Sequence, residues 1–153
     1  MPNGLALAIA VLILALIISY IISMLLSLFL STAHTPQKEL EELVQKMNLK
    51  KGDVFADLGC GDGRVLFEVA KRHKDVKCIG YEISPILLMI ANLSKFILFP
   101  FSKRVHIYAE DFTKADLNDV NVVYINWGKN ISKKYKRFLE KLKKIKKVKI
   151  ITS

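Results

Sequence analysis

The amino-acid sequence predicts an α/β fold in which one transmembrane helix precedes a doubly wound, mainly parallel sheet of about five strands. Two observations support this prediction. Residues 5–30 form an apolar run without a charged side chain, and short strand-like runs alternate with helical patterns from residue 54 to residue 152. Such alternation is typical of a parallel sheet that is covered by helices on both faces.

The charge distribution divides the chain into two parts. All 24 basic and 14 acidic residues lie between residues 38 and 153, and they give a net charge of +10. The length of 153 residues allows one globular domain at most. We therefore predict an anchor at residues 1–33 and a globular domain at residues 34–153, and we exclude a disordered polyelectrolyte and a disulfide scaffold.

The apolar run has the length of a membrane-spanning helix, because 26 helical residues extend about 39 Å and a hydrocarbon core is about 30 Å thick. A signal peptide has a basic segment before a shorter apolar stretch, and no Lys or Arg precedes this one; a buried core helix is the other alternative. Basic residues follow at Lys38, Lys46, Lys50 and Lys51. The positive-inside rule therefore predicts a single-pass membrane protein with its N-terminus outside and its globular domain in the cytoplasm.

The soluble part is predicted to contain four helices and five strands. Capping residues and apolar spacing place the helices from Thr35-Pro36 onward and at 62–73, 86–98 and 131–145. The strands are expected at 54–58, 76–81, 105–108, 120–125 and 148–152. The two cysteines and three histidines match no zinc or disulfide spacing, so no metal site is expected.

A glycine-rich turn, Asp57-Leu58-Gly59-Cys60-Gly61-Asp62-Gly63-Arg64, follows the first strand. At such a turn backbone N–H groups face a ligand, and glycines let it approach because they carry no Cβ. Ligands bind at this carboxyl edge of a doubly wound sheet. Glu82, at the end of the second strand, is placed to accept both hydroxyls of a ribose. Asp111 and Phe112, after the third strand, offer an acceptor and a ring face to an adenine.

Acidic residues at this turn indicate the charge of the ligand. Asp57 and Asp62 flank the glycines and would repel a pyrophosphate, whereas they favour a ligand that carries an ammonium group and a sulfonium. The spacing is G-x-G-x-G, which differs from the dinucleotide fingerprint G-x-G-x-x-G, and the Gly-Lys-Ser/Thr of a P-loop does not follow.

DLGCGDGR, with GYEISP and AEDF at matching intervals, closely resembles the class I S-adenosylmethionine-dependent methyltransferases, which have a Rossmann-like fold. With Thr-Pro before the first soluble helix, the pattern is similar to that of the small seven-strand protein-lysine methyltransferases, which include membrane-anchored and archaeal members. The resemblance covers about residues 35–153. It implies S-adenosyl-L-methionine as the cofactor and a protein lysine as the methyl acceptor.

The resemblance also implies a role for individual residues of the cofactor site. Glu82 would hold the ribose, Ile83 would pack on the adenine, and Asp111 with Phe112 would bind the adenine edge and face. The methionine part of the cofactor would be cradled by the turn, namely by Asp57, Gly59, Cys60, Gly61, Asp62 and Gly63. Thr35 and Pro36 would close over the site from the linker side.

The acceptor side is placed by the resemblance at the end of the fourth strand. Tyr124 and Asn126 are the candidate catalytic residues in a pocket-lining role, and Trp127 is a candidate wall of the acceptor channel; strand-end or core packing is the alternative for each. Gly128-Lys129 follow instead of the Asn-Pro-Pro-Tyr type signature of amino-methylating nucleic-acid enzymes, which argues against DNA methylation. The family usually continues into an antiparallel strand pair, so we expect either a sheet without this C-terminal hairpin or a C-terminally truncated fragment.

Residues 129–149 hold 11 of the 24 basic residues and one acid, Glu140. The lysines form one face of the predicted last helix. This face is a solvated surface, a contact for anionic lipid headgroups, or a docking surface for acidic proteins or nucleic acid; thin aromatic interleaving makes nucleic acid an unlikely partner. Besides a protein-lysine methyltransferase, two functions stay open: methylation of a lipid or small membrane-borne acceptor, and a non-catalytic membrane module that binds the cofactor or a partner.

Overall fold

A computed structural model of the chain describes residues 3–31, 37–126, 133–145 and 148–152. The chain separates into two compact units, Met1–Gln37 and Lys38–Ser153. The first unit contains α1 (Asn3–Ser31). Within α1, Gly4–Met24 is long and apolar enough to cross a membrane, and its side chains are exposed in the structure.

The second unit is built on a five-stranded sheet. Its strands are β1 (Val54–Leu58), β2 (Lys77–Glu82), β3 (Val105–Ala109), β4 (Val122–Ile125) and β5 (Lys149–Thr152). The helices beside them are α2 (Gln37–Lys46), α3 (Arg64–Arg72), α4 (Pro85–Leu98) and α5 (Lys133–Ile145). All neighbouring strands are parallel, in the order β3-β2-β1-β4-β5. The predicted parallel α/β sheet is therefore confirmed.

The strand order determines where a ligand would bind. From β1 the chain moves outward to β2 and β3 and then returns to β4 on the other side of β1. The crevice at such a reversal, beyond the carboxyl ends of the strands, is where open α/β sheets bind ligands. Asp57 is paired in register with Gly80 of β2 and with Tyr124 of β4, so the ends of three strands meet at the glycine turn.

Two hydrophobic clusters cover the two faces of the sheet. On one face Phe55 and Cys78 pack with Val44 of α2 and with Leu66 of α3. On the other face Ala56, Ile79 and Val123 pack with Phe138 and Leu142 of α5. Successive strand residues point to opposite faces. Asp57, Gly80, Glu82 and Tyr124 therefore share the face that α2 and α3 cover.

Two element starts differ from the prediction by two residues, and several other boundaries differ by one. The helix expected from residue 62 begins at Arg64, because Gly61 and Gly63 have φ angles of +59° and +85°, which an α-helix does not accommodate. The strand expected from residue 120 begins at Val122, because a turn comes first: the Val120 N–H donates to the Leu117 carbonyl. The predicted helix start at Thr35-Pro36 lies outside the described residues.

Arg104, directly before β3, binds the C-terminal end of α3. Its guanidinium donates hydrogen bonds to the backbone carbonyls of Ala70, His73 and Val76. The same group lies over the ring of Phe99, 5.8 Å from its centroid. The last carbonyls of a helix have no intrahelical partner, so Arg104 supplies a partner to the carbonyl of Ala70 and adds a second hydrogen bond to that of His73, which also accepts from the Val76 N–H.

Candidate functional site

The glycine turn is held against the end of β2 by backbone hydrogen bonds. The N–H groups of Gly59 and Cys60 both donate to the carbonyl of Tyr81, at 2.9 Å each, and the N–H of Gly63 donates to the carbonyl of Cys60 at 2.9 Å. Gly59 has a φ of +80°, in the left-handed region that glycine adopts without a steric penalty. The turn is therefore fixed in place before any ligand arrives.

The three glycines of the turn have different surroundings. A Cβ added to Gly59 or Gly61 would meet no heavy atom within 4 Å, whereas a Cβ on Gly63 would lie 2.5 Å from Cε2 of Phe67. Gly63 thus allows α3 to pack closely on the turn. Gly59 and Gly61 face open space, which a Cβ would enter. A ligand can approach the backbone there without displacing a side chain.

Glu82 lies at the end of β2 and points its carboxylate at the turn. Oε2 accepts a hydrogen bond from the N–H of Gly61 at 2.9 Å. Oε1 accepts from the N–H groups of Ile83 and Ser84, at 2.8 Å each. The side chain is 9% exposed. Two carboxylate oxygens offer about four acceptor positions, so acceptor capacity is left for a ligand hydroxyl.

Asp57, at the end of β1, is a buried carboxyl group beside other acids. It is 3% exposed, and its pKa is raised from 3.8 to about 8. Burial is the largest cause, and the charges of Asp62 and Glu82 add to it, whereas a hydrogen bond from the backbone N–H of Leu66 lowers the pKa. Near neutral pH the group therefore holds a proton. A cation placed beside it would stabilise the ionised form.

Asp62 is paired with Arg64 at the start of α3. The Arg64 Nη2 lies 2.6 Å from Oδ2 of Asp62, and its Nε lies 3.2 Å from both carboxylate oxygens. Both side chains are partly exposed. The negative charge of Asp62, which the sequence alone leaves unbalanced, is therefore compensated in part, and Asp57 and Glu82 are the more deeply buried acids of the site.

Cys60 fills a space that Gly80 leaves in β2. A Cβ added to Gly80 would lie 2.8 Å from Sγ of Cys60 and 3.0 Å from Cδ2 of Leu66. Burial is the main cause that raises the pKa of the Cys60 thiol above its usual range. The thiol is thus a buried neutral group, and the turn packs closely on the strand because residue 80 has no side chain.

The residues that the sequence predicts at the adenine follow β2 and β3. Ile83 is 67% exposed directly after Glu82, so its side chain is free to cover a ring. Asp111 Oδ1 accepts hydrogen bonds from the N–H and the hydroxyl of Thr113, at 2.9 and 2.8 Å. The ring of Phe112 lies 5.3 Å from that of Tyr135 and 5.7 Å from that of Phe138, so it packs against α5.

At the end of β4, the two candidate catalytic residues have different surroundings. Tyr124 is 3% exposed and belongs to the cluster on the α2 and α3 face. Asn126 is exposed directly after the strand. Trp127, Thr35 and Pro36 lie outside the described residues. The structure thus brings Asp57, the glycines and Glu82 together at one edge, with Asn126 following the neighbouring strand.

Comparisons with known proteins place this arrangement in a family. Residues 57–152 match the family described as the ANTKMT methyltransferase domain. The chain belongs to this methyltransferase family. The predicted class I S-adenosylmethionine-dependent methyltransferase is therefore confirmed as the family, whose enzymes use this cofactor.

The curated relatives of this chain differ in the acceptors that their names describe. A protein-lysine N-methyltransferase of Saccharolobus islandicus is 30% identical over 109 residues, which are 70% of this chain and 66% of the relative. A probable cobalt-precorrin-6B C(15)-methyltransferase of Methanocaldococcus jannaschii is 39% identical over 93 residues, 59% of this chain and 48% of the relative. The chain thus spans less than two thirds of the length of these curated relatives.

Among solved structures, an RNA methyltransferase from Salinibacter ruber, in complex with S-adenosyl-L-homocysteine, has a similar fold. It is 25% identical with a TM-score of 0.62, and the match covers 70% of this chain and 69% of that one. The names of these proteins describe a protein, a corrinoid precursor and an RNA. Membership in the family therefore leaves the methyl acceptor open.

Sequence reasoning missed three residues that shape this site. Tyr81 supplies the carbonyl that fixes the turn, Gly80 makes room for Cys60, and Arg64 pairs with Asp62. One signal was available for Gly80, because a glycine inside a strand often marks a close approach. The carbonyl of Tyr81 leaves no signal in a sequence, since every residue has one.

Proposed function

We propose that this chain is a membrane-anchored methyltransferase that uses S-adenosyl-L-methionine to methylate protein lysine side chains. The observation that carries the proposal is the Glu82 carboxylate, which is tied to the N–H of Gly61 beside the open space in front of Gly59 and Gly61. The similarity to the protein-lysine N-methyltransferase of Saccharolobus islandicus supports the acceptor.

The residues of the site fit this cofactor. The open space at Gly59 and Gly61 is a cradle that a Cβ would obstruct, and it suits the methionine part. Glu82 keeps acceptor capacity for a ribose hydroxyl, and the exposed Ile83 is proposed to cover the adenine ring. Asp57 attracts the ammonium group and the sulfonium once it is ionised. We propose that Asp111 binds the adenine edge and that Phe112 supports it from the α5 side.

Methyl transfer requires little acid–base catalysis from the protein. The cofactor, when bound, supplies a methyl group on a sulfonium that already has a good leaving group. The chain must exclude water, orient a neutral amine and hold it in line, and orientation alone lowers a barrier by several kcal/mol. Desolvation of a lysine ammonium beside a cation lowers its pKa and releases its proton. We propose that the Asn126 amide orients this amine and that the Tyr124 ring supports the floor below it.

The candidate span in α1 supports the proposed membrane location. Gly4–Met24 has the length and composition of a transmembrane helix, and basic residues follow it at Lys38, Lys46, Lys50 and Lys51. The positive-inside rule then places the N-terminus outside and the domain from residue 34 in the cytoplasm. We propose residues 1–33 as the anchor.

Transfer of labelled methyl groups tests this function. The full chain in detergent is incubated with membrane extract and with S-adenosylmethionine that carries a tritiated methyl group, and the protein fraction is hydrolysed to amino acids. Labelled methyl-lysine is the expected product. Asn126→Ala should reduce the turnover number with an unchanged affinity for the cofactor, whereas Asn118→Ala, at an exposed loop position, should change neither. Label in the lipid phase alone would reject lysine as the acceptor, and cofactor binding without any transfer would reject catalysis.

A further inference from the structure

Helix α4 exposes an apolar face in the globular unit. Met89, Leu93 and Phe96 are 60–71% exposed, and Phe101, just beyond the helix, is 95% exposed. Ile86 and Ile97 are exposed on the same side of the helix. These positions repeat at intervals of three and four residues, so they form one stripe along the helix. Ala91 is the one residue of α4 that is buried. We call the six side chains the α4 face.

The segment that carries the α4 face has charges of one sign. Residues 83–109 contain no Asp or Glu, and they contain Lys95, Lys103 and Arg104. Lys103 is exposed and Lys95 is partly exposed. An apolar stripe in a segment with basic and without acidic side chains has the composition of a helix that lies in the interface of a membrane with anionic lipids. An exposed apolar patch formed by six large side chains indicates an interaction surface.

The length of the chain between the two units supports a bilayer as the partner. Five residues separate the end of α1 at Ser31 from the start of α2 at Gln37. An extended chain spans at most about 3.6 Å per residue, so these residues reach roughly 20 Å. If α1 spans a membrane, as proposed above, the globular unit stays next to its surface. The tether therefore keeps the exposed apolar face of this unit close to the lipid surface.

We infer that the α4 face docks on the surface of the bilayer that α1 spans, and that it thereby places the cofactor site beside the lipid headgroups. The α4 face begins close to that site: the N–H of Ser84 binds the carboxylate of Glu82, and Ile86 follows two residues later. Acceptors are then amino groups at the membrane surface. Phe99, at the C-terminal end of α4, stacks on Phe67 of α3 and packs on the cluster that α2 and α3 cover. The lysines of α5 take no part in this docking, because α5 packs on the other face of the sheet. The inference rests on the proposed membrane anchor.

Fluorescence quenching in vesicles tests this docking without requiring catalysis. The full chain is reconstituted in vesicles of phosphatidylcholine and phosphatidylserine, three parts to one, with a nitrobenzoxadiazole label on Leu93→Cys or, as a matched control, on Asn118→Cys. Both positions are exposed, and the native Cys60 and Cys78 are buried. We expect nitroxide-bearing acyl chains to quench the label at 93 several-fold more strongly than the label at 118, and iodide in the water to show the opposite order.

Two outcomes would overturn the inference. Equal quenching of both labels by iodide, with none by nitroxide lipid, would show that the α4 face points to water. A label at 93 that is shielded from both quenchers would show that protein covers the face, such as a second copy of the chain. As a further check, Leu93→Gln combined with Phe96→Gln should abolish nitroxide quenching of a label on Met89→Cys. Cofactor affinity, measured in the same samples, is expected to be unchanged, and its loss would count against the proposed function instead.

Discussion

The carboxylate of Glu82 accepts a hydrogen bond from the backbone N–H of Gly61, with 2.9 Å between Oε2 and the nitrogen. This contact joins the end of β2 to the glycine turn that follows β1. A Cβ at Gly61, or at Gly59 earlier in the turn, would meet no heavy atom within 4 Å. The same side chain therefore holds the turn and lies next to backbone that a ligand can approach.

Replacing Glu82 should weaken cofactor binding. Glu82→Ala removes a charged acceptor for the ribose hydroxyls, and such hydrogen bonds contribute about 1.5–3 kcal/mol, so we expect the Kd for S-adenosylmethionine to rise roughly tenfold to a hundredfold. Glu82→Gln, which keeps one acceptor oxygen, should have a smaller effect. Calorimetric titration measures the affinity, with Glu42→Ala on the exposed side of α2 as the control of equal charge change. An unchanged Kd in Glu82→Ala would remove the ribose assignment.

Substitution of two glycines with similar backbone conformations distinguishes the loss of a ligand contact from the cost of backbone strain. Gly61 and Gly52 have φ angles of +59° and +86°, and a Cβ at either position meets no heavy atom within 4 Å. Gly61→Ala and Gly52→Ala should therefore each lower the free energy of unfolding by about 1–2 kcal/mol, the cost of a left-handed conformation. Cofactor binding should be lost in Gly61→Ala alone. Thermal unfolding and calorimetry measure the two effects, and equal affinities would contradict a ligand at Gly61.

Gly80 and Cys60 should show energetic coupling. Gly80→Ala places a Cβ 2.8 Å from the Cys60 Sγ, and overpacking of this kind costs about 1–3 kcal/mol. Cys60→Ala removes the sulfur, so the double variant should recover part of the lost stability. A double-mutant cycle based on thermal unfolding in detergent gives the coupling energy. Strictly additive effects would show that the turn does not depend on this contact.

Stability should depend on pH through Asp57. Its pKa is raised from 3.8 to about 8 by burial and by neighbouring acids, so the folded state holds a proton that the unfolded state releases. The protonated Asp57 makes its full contribution to the free energy of unfolding below about pH 4, and this contribution is lost as the pH rises to about 8. Asp57→Asn, which stays neutral, should be more stable than the unsubstituted chain at pH 9 by at least about 1 kcal/mol. Melting curves between pH 4 and 9 measure the difference, and parallel curves would contradict it.

Cofactor affinity should change with pH in the opposite direction. A sulfonium and an ammonium group favour the ionised form of Asp57, so binding should strengthen as the pH rises through about 8. Asp57→Asn should bind more weakly and with less dependence on pH. Titrations at several pH values compare the two proteins. The same slope in both would assign the pH dependence to the ligand's own amino group.

The sequence was sufficient to predict the sheet and the position of its glycine turn. Apolar runs alternate with helical spacing from Val54 onward, and parallel strands bring their carboxyl ends to one edge. Glu82 was predicted at this edge from its position after the second strand. Boundaries at Arg64 and Val122 were wrong by two residues, because they depend on the φ angles of Gly61 and Gly63 and on the turn at Leu117.

Side-chain partners were less predictable than strand ends. Asp62 was expected to favour a cationic ligand, and the structure also pairs it with Arg64, 2.6 Å away. Phe112 was expected at the adenine, and its ring packs on Tyr135. Partners of this kind depend on rotamers and on elements distant in the chain. The assigned roles of these residues stay predictions, because family membership and fold do not test them.

Arg104 binds three carbonyls around the end of α3 and directly precedes β3. It therefore fastens the rear of the helix that starts at the glycine turn to the strand that leads to Asp111. A displacement of α3 would pull β3 along with it. The two elements that would enclose a nucleoside, α3 with the glycine turn and β3 with Asp111, are thus held at a fixed distance. The guanidinium of Arg104 maintains this distance from the end of α3 that is remote from the turn.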